Sequence, residues 1–335
     1  MADIPEIPLD QVTEISRYTP LLKALGYRTV NQFQAAVGAA EKSLSRYLGF
    51  NAKVLLLSIP EDQLPPLFLG DEELPDLKFG AVLQGLPQQN MAFAISPPVT
   101  SGPTSKNLIG EMEPIRDQRP RNTCVAFSSV AAAEHSARKN GAPVQLSEQF
   151  LYAKCKEIDG IPTQPGTWLR SAFQVLAGTG CCLALTSPYS TTVQGGNEGQ
   201  GPPTPEAVTE AGQHKFTGIE LSPTAVLDIK GQLENSNCVA FAIPVFDSWI
   251  YSKEVFRTGE ITLPIPGEMV GDLGHAMCFV GYEDLPERPE LGFGRFLVRN
   301  SWDSIWATES TYGKGYGTIP YAYIARYGKE AYAVS

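Results

Sequence analysis

The hydrophobic period of this chain changes once, and that change limits the folds open to it. Between residues 116 and 182 apolar positions recur at helical spacing, whereas beyond residue 237 they fall in short runs bounded by glycine and proline. The Ala-rich stretch 126–142 has basic residues toward its end and an Asn-Gly stop, which is helix chemistry. A second helix is predicted over 146–158 with Ser147 as its N-cap, and a third over 166–180, ended by glycine. A Pro/Gly-rich loop is expected over 187–212. Strands are predicted over 238–246, 275–284, 294–302 and 315–324. Helices first and strands later is the α+β signature, with two packed halves.

The N-terminal third divides in two. Over 10–60, Leu21, Leu22, Leu25, Phe33 and Val37 keep helical spacing, and Gly26 and Gly49 stand where helices would stop. The stretch 21–33 resembles one unit of a helix-hairpin-helix-like module, a short match. Residues 60–115 are rich in Pro, Gly and Ser, with an acidic run at 71–76, the composition of an extended linker. Within it, Gly80–Ile95 is too apolar for a free tether and is expected to lie on a protein surface.

Charge excludes some partners. With 26 Lys+Arg against 36 Asp+Glu the chain carries −10, which disfavours nucleic acid and acidic membranes. No run approaches the roughly 18 apolar residues of a spanning helix. The start, MADIPEIPLDQ, lacks the basic and apolar regions of a secretory signal. The expectation is a cytoplasmic protein with no nucleic-acid and no membrane partner.

Six cysteines and three histidines are the residues with chemistry to assign. Cys124, Cys155, Cys181, Cys182, Cys238 and Cys278 include no C-x-x-C pair and no zinc-finger spacing, so no metal is expected. Their low density and the missing signal favour reduced thiols, most of them small buried hydrophobes. Cys124 differs in standing at the start of the Ala-rich helix, where unpaired amides and the positive dipole end stabilise a thiolate. Gln118, six residues upstream, could join the Cys124 amide as an oxyanion donor pair.

A thiol nucleophile needs a base. His135 lies in the same helix, roughly 16 Å up the axis at 1.5 Å per residue, and is out of reach. His214 sits in a loop without informative neighbours. His275 opens a predicted strand, and Asn300 and Trp302 end the next one. An Asn can fix the imidazole tautomer and an aromatic ring can shield that bond. Cys124–His275–Asn300 is therefore a candidate set, with a structural role for each residue as its rival.

Gln118 with Cys124-Val-Ala-Phe-Ser, then Leu-Ser-Glu-Gln (146–149), Gly-His-Ala (274–276) and Val-Arg-Asn-Ser-Trp (298–302), resembles the papain-like (C1) cysteine peptidases. The order matches, over about residues 115–335, and the closing Gly-Lys-Gly-Tyr-Gly-Thr-Ile-Pro-Tyr looks like the bacterial branch. His275 follows Cys124 by 151 positions and Asn300 by 176, against roughly 130–150 in the papain signature; the loop at 187–212 and a lengthened hairpin at 282–295 account for the excess. The family's cysteine three residues before the nucleophile is Arg121 here, its following aromatic is Val125, and its Cys-Asn-Gly-Gly loop is absent.

The resemblance implies an α+β papain-like two-lobed fold, a helical lobe (about 116–212) plus a β-barrel-like lobe (about 213–335), and the residue pattern before it adds a small all-α module (1–60) and an extended or propeptide-like segment (61–115). It implies a cysteine endopeptidase acting through a thioester: Cys124, His275 and Asn300 catalytic, Gln118 and the Cys124 amide as oxyanion hole, Trp302 shielding, Gly166 and Gly274 binding substrate, with no cofactor. The substrate would be a peptide or protein. Residues 1–115 would either cover the cleft, giving a latent enzyme, or dock a regulatory protein partner through 1–60. Rival functions are another thiol acyl-transfer enzyme (amidase, deamidase or transpeptidase) and a non-catalytic papain-like binding protein.

Overall fold

The longest N-terminal helix starts at a capping box, in which Thr29 accepts from the Gln32 amide and the Gln32 side chain accepts from the Thr29 amide. The computed structural model describes residues 6–65, 74–83, 102–268 and 273–335. Three helices, α1 (Thr19–Ala24), α2 (Val30–Leu48) and α3 (Ala52–Leu57), form the N-terminal module. Past α2, Gly49 takes φ 65°, a left-handed position that glycine adopts without a Cβ penalty. Leu22, Phe33, Leu44 and Leu55 make a core separate from the rest of the chain, joined by one distant residue, the buried Ile265. The hairpin expected at 282–295 also meets this module: Glu290 pairs with Arg28, and Arg288 donates to the Gly26 carbonyl.

The larger unit is built around α4 (Cys124–Lys139), buried from Cys124 through Ala137. Its alanines let α5 (Glu148–Ile158), α6 (Leu169–Gly178) and the sheet approach it closely. Ser147 caps α5 by accepting from the Phe150 amide at 2.9 Å, as expected from the sequence.

The antiparallel sheet runs in the order β3 (Gly218–Glu220), β8 (Glu330–Val334), β4 (Val239–Pro244), β5 (Leu273–Asp284), β6 (Gly294–Arg299) and β7 (Tyr316–Pro320). Two short strands, β1 (Ala81–Val82) and β2 (Ser105–Asn107), add to β5. Short helices α7 (Pro205–Ala211), α8 (Val226–Glu234), α9 (Asp247–Ile250), α10 (Lys253–Thr258) and α11 (Tyr321–Tyr327) pack around it. No helix of the described residues is long and apolar enough to cross a membrane.

The local predictions need amending in several places: the strand expected over 294–302 stops at Arg299, and α8, α9, α10, β1 and β2 were not anticipated. The last predicted strand stops at Pro320, and Tyr321–Tyr327 is helical, because proline cannot donate to a ladder but is tolerated at a helix start. The loop at 187–212 contains α7, capped by Thr204 accepting from Ala207, with Pro205 in its first turn. Strands β3 and β8 were not anticipated.

α4 and α5 are joined by a buried charge cluster. Arg116 bonds Glu134 of α4 at 2.6 Å and Glu148 of α5 at 2.5 Å. Burial raises the Glu134 carboxyl to about 7 even with Arg116 beside it, and raises Glu148 as well. Arg116→Met leaves two buried carboxylates without their cation. The expected loss is about 3 kcal/mol at pH 8, shrinking toward pH 5 as the carboxyls take up protons. Denaturant unfolding at the two pH values checks this, and equal losses at both would refute it.

Candidate active site

Because α4 begins at Cys124, the first amides of the helix precede its carbonyl ladder, and the Val125 amide lies beside the thiol. The side chain is fully buried, and its Sγ accepts from the amides of Gly80 at 3.1 Å and Ala276 at 3.4 Å. Ala276 follows His275 on β5, so the strand itself brings the histidine to the start of α4. His275 Nε2 lies 2.7 Å from Asn300 Oδ1, and the Ser301 amide donates to the same Oδ1 at 2.8 Å. An atom that accepts from an amide is the oxygen, which fixes the Asn300 orientation. The neutral imidazole therefore carries its proton on Nε2 and its lone pair on Nδ1. Nδ1 is buried and without a hydrogen-bond partner among the described residues.

Trp302 stacks on the His275 ring at 4.5 Å and 21°, and Trp249 of α9 lies 6.1 Å from the same ring. Gln118 is held by Ser301 twice: its amide donates to the Ser301 carbonyl at 2.9 Å, and its Oε1 accepts from the Ser301 hydroxyl at 2.7 Å. Its Nε2 is thereby turned to donate to the carbonyls of Arg121 at 2.8 Å and Lys78 at 3.0 Å.

Lys78 belongs to a stretch of the chain, residues 77–83, that lies across these groups. Phe79 sets its ring edge-on to both His275 and Trp302, 5.6 Å from each, and its carbonyl accepts from the Asn122 side chain. The Gly80 carbonyl accepts from the Thr167 amide at 2.9 Å, and the Val82 amide donates to the Thr167 carbonyl at 3.0 Å. On the other side Ala81 pairs with Gly274 of β5. The stretch is thus hydrogen-bonded to both halves of the larger unit. Of the apolar run at 80–95, residues 84–95 lie outside the described residues.

The two glycines singled out from the sequence both flank this stretch. Gly166, at φ 82°, has no room for a side chain, since a Cβ would lie 2.6 Å from the Gly80 carbonyl oxygen. The main-chain bonds fall one residue later, on Thr167. A Cβ on Gly274 would meet the Ile243 carbonyl oxygen at 2.1 Å. Phe79, Asn122, Thr167 and Trp249 escaped sequence reasoning. Phe79 precedes the flagged apolar run by one residue, and the other three had no local signal.

The electrostatics differ from the sequence expectation. The helix start was expected to lower the Cys124 thiol. Burial under residues 77–83 instead pushes it up to about 11, against the lowering effect of the Ala276 and Gly80 amides. Burial also holds His275 down at about 4, opposed by its bond to Asn300. At neutral pH both groups are uncharged in this covered arrangement. All six cysteines are buried and free.

Comparison with known proteins places these residues in context. The family model for papain family cysteine proteases matches residues 104–323. A peptidase C1-like protein of Acanthamoeba polyphaga mimivirus is 31% identical over 117 residues, 33% of each chain. A senescence-specific cysteine protease of Arabidopsis thaliana is 29% identical over 61% of this chain and 53% of its own length. Vignain of Phaseolus vulgaris is 26% identical over 67% of this chain and 57% of its own. The chain thus spans at most 57% of the length of these curated relatives. Among solved structures, xylellain, a cysteine protease from Xylella fastidiosa, shares the fold with a TM-score of 0.61 at 20% identity, over 77% of this chain and 98% of that one.

A buried neutral thiol reacts slowly with alkylating agents, because the thiolate is the nucleophile. In the full chain, iodoacetamide labelling of Cys124, followed by mass spectrometry, is expected to stay slow from pH 6 to 9 and to rise only toward pH 11. Rapid labelling at pH 7 would contradict this account of the covered site.

Proposed function

Because the chain belongs to the papain family of cysteine proteases, we propose that it is a cysteine endopeptidase held latent by residues 77–83. The observation that carries the reading is that its own peptide occupies the site in the manner of a ligand. Lys78 places a carbonyl on Gln118 Nε2, Gly80 an amide on the Cys124 thiol, and Thr167 and Gly274 pair the backbone on either side.

In the uncovered enzyme, His275 Nδ1 takes the Cys124 proton and Sγ attacks the carbonyl carbon of a peptide substrate. Gln118 Nε2 and the Cys124 amide hold the tetrahedral oxyanion. The imidazolium, kept in orientation by Asn300 under Trp302, returns the proton to the leaving amine, and a thioester remains. His275 then takes a proton from water, the hydroxide adds to the thioester carbonyl, and the acid leaves as Sγ recovers its proton.

The covering stretch resists this chemistry for a geometric reason. The peptide nearest the thiol, Phe79–Gly80, has its carbonyl on Asn122, whereas Gln118 holds the carbonyl of Lys78. The nucleophile and the oxyanion donor therefore address different peptide units. Six free buried thiols support a reducing compartment as the place of action.

Gly80 offers a direct test. A Cβ there would fall 2.0 Å from the Asn122 carbonyl oxygen, so Gly80→Ala forces the stretch off the site at a cost of about 1–3 kcal/mol. Full chain with Gly80→Ala is expected to hydrolyse a denatured protein substrate about tenfold faster or more than the parent, and Cys124→Ala to abolish the activity. Equal activity in parent and Gly80→Ala would remove the latency. No activity in either would remove the peptidase.

A further inference from the structure

The turn 118–123 has Gln118 at one end and Cys124 just beyond the other. We propose that Arg121 and Tyr189 form a clamp that positions this turn, and with it the oxyanion donor, from the side of the 187–204 loop. The kinetic part rests on the peptidase reading above.

Tyr189 reaches both ends of the turn. Its hydroxyl donates to the Gln118 carbonyl at 2.8 Å and lies 2.7 Å from Thr123 Oγ1. A phenol has one proton, which goes to the carbonyl, so its oxygen accepts from the Thr123 hydroxyl. Thr123 stands at the N-cap of α4, where its side chain would ordinarily accept from the helix; here it makes no cap bond and turns to Tyr189. Phe127 of α4 sets its ring edge-on to Tyr189 at 4.9 Å and fixes the tyrosine plane.

Arg121 ties the middle of the turn to the same loop. Its buried guanidinium donates to the carbonyls of Ser190 at 2.8 Å and Glu198 at 2.9 Å, and to Gln149 Oε1 of α5 at 2.7 Å. It also lies 5.1 Å from the Tyr189 ring centroid and 5.5 Å from that of Tyr152. Gln149 in turn donates to the Gly199 carbonyl at 2.9 Å. The loop is therefore a wall fixed to α5, and the turn is fixed to the wall. A forked, always charged donor suits three acceptors in different directions, which a lysine cannot reproduce.

This makes Arg121 and Tyr189 positioning residues, since neither touches the thiol or the imidazole. Misplacing Gln118 by a fraction of an ångström weakens its bond to the oxyanion while leaving ground-state binding and the Cys124–His275 neighbours alone. The expected signature is a loss in kcat with KM unchanged.

In full chain carrying Gly80→Ala, Tyr189→Phe is expected to lower kcat about tenfold with KM within about twofold. Arg121→Met should lower it further, and Arg121→Lys should fall between. Labelling of Cys124 by iodoacetamide should proceed at the parental rate in all of them. Parental kcat in Tyr189→Phe, or a fall in kcat accompanied by an equal fall in labelling, would overturn the proposal. Hydrogen exchange in the otherwise unmodified full chain gives an arm independent of turnover. The Arg121 and Thr123 amides, bonded within the turn at 3.3 and 3.0 Å, should exchange at least about tenfold faster in Tyr189→Phe, with α5 unaffected. Unchanged exchange overturns the clamp, whereas an inactive Gly80→Ala parent overturns only the peptidase. Should Arg121→Met fail to fold, Tyr189→Phe, which removes one oxygen, decides alone.

Discussion

Ser301 is the residue on which the site's geometry turns. Its carbonyl accepts from the Gln118 amide, its hydroxyl donates to Gln118 Oε1, and its amide donates to Asn300 Oδ1. Side-chain amides can flip at little cost, and a flipped Gln118 or Asn300 would present the wrong atom. The Ser301 amide, which can only donate, removes that freedom from Asn300, and the carbonyls of Arg121 and Lys78, which can only accept, remove it from the Gln118 that the Ser301 hydroxyl holds. Its two bonds to Gln118 also join the segment leading into α4 to the turn after β6, so the two halves of the larger unit are registered by a contact that holds the site.

Once these groups are fixed, solvation decides their charge. A helix start favours a thiolate by a modest amount at an exposed site, while full burial of an ion costs several kcal/mol. The latter wins at Cys124, which is why the thiol lies high and the imidazole low. The covering stretch adds to this simply by excluding water. On the reading proposed here, occupation and desolvation are two effects of the same seven residues.

The chain order of α and β regions, the starts of α4 and α5, the glycine stops after α1 and α2 and, with the resemblance, the five candidate residues Cys124, Gln118, His275, Asn300 and Trp302 could be picked out from sequence. Cys124, His275 and Asn300 stand at or near element boundaries that local chemistry marks, such as a run of alanines or the start of an apolar strand, whereas Gln118 is marked by its spacing from Cys124 and the resemblance. The fold bonds His275 to Asn300, stacks Trp302 on the His275 ring, and bonds Cys124 and Gln118 to Ala276 and Ser301, the residues next to His275 and Asn300. Thr167, Tyr189 and Arg121 are different. Their roles rest on partners far along the chain, as between Arg121 and Ser190 or Thr123 and Tyr189, and no local pattern encodes such a meeting. Arg121 could be noticed only as a departure from the papain-like pattern, where a cysteine is usual. The raised Cys124 thiol was illegible for the same reason, since the residues that bury it come from elsewhere in the chain.

The covering stretch is short, and its few main-chain bonds would hold a free peptide weakly, since each hydrogen bond exchanged with water contributes only about 1 kcal/mol. On the reading proposed above, what makes it effective is attachment. The stretch lies between a module with its own core and the sheet, and the module is itself seated on the larger unit through Ile265 and the Arg28–Glu290 pair. Belonging to the same chain replaces a bimolecular encounter with an intramolecular one and so raises the effective concentration of the stretch beside Cys124. A weak ligand held in this way covers the site more than the same peptide free in solution would. It follows that the module's seat matters as much to coverage as the contacts of Phe79 and Gly80. Loosening Ile265 or Arg28 lowers the effective concentration without touching a single bond in the cleft, whereas a cut in the linker before residue 77 releases one tether and leaves every bond of the stretch in place.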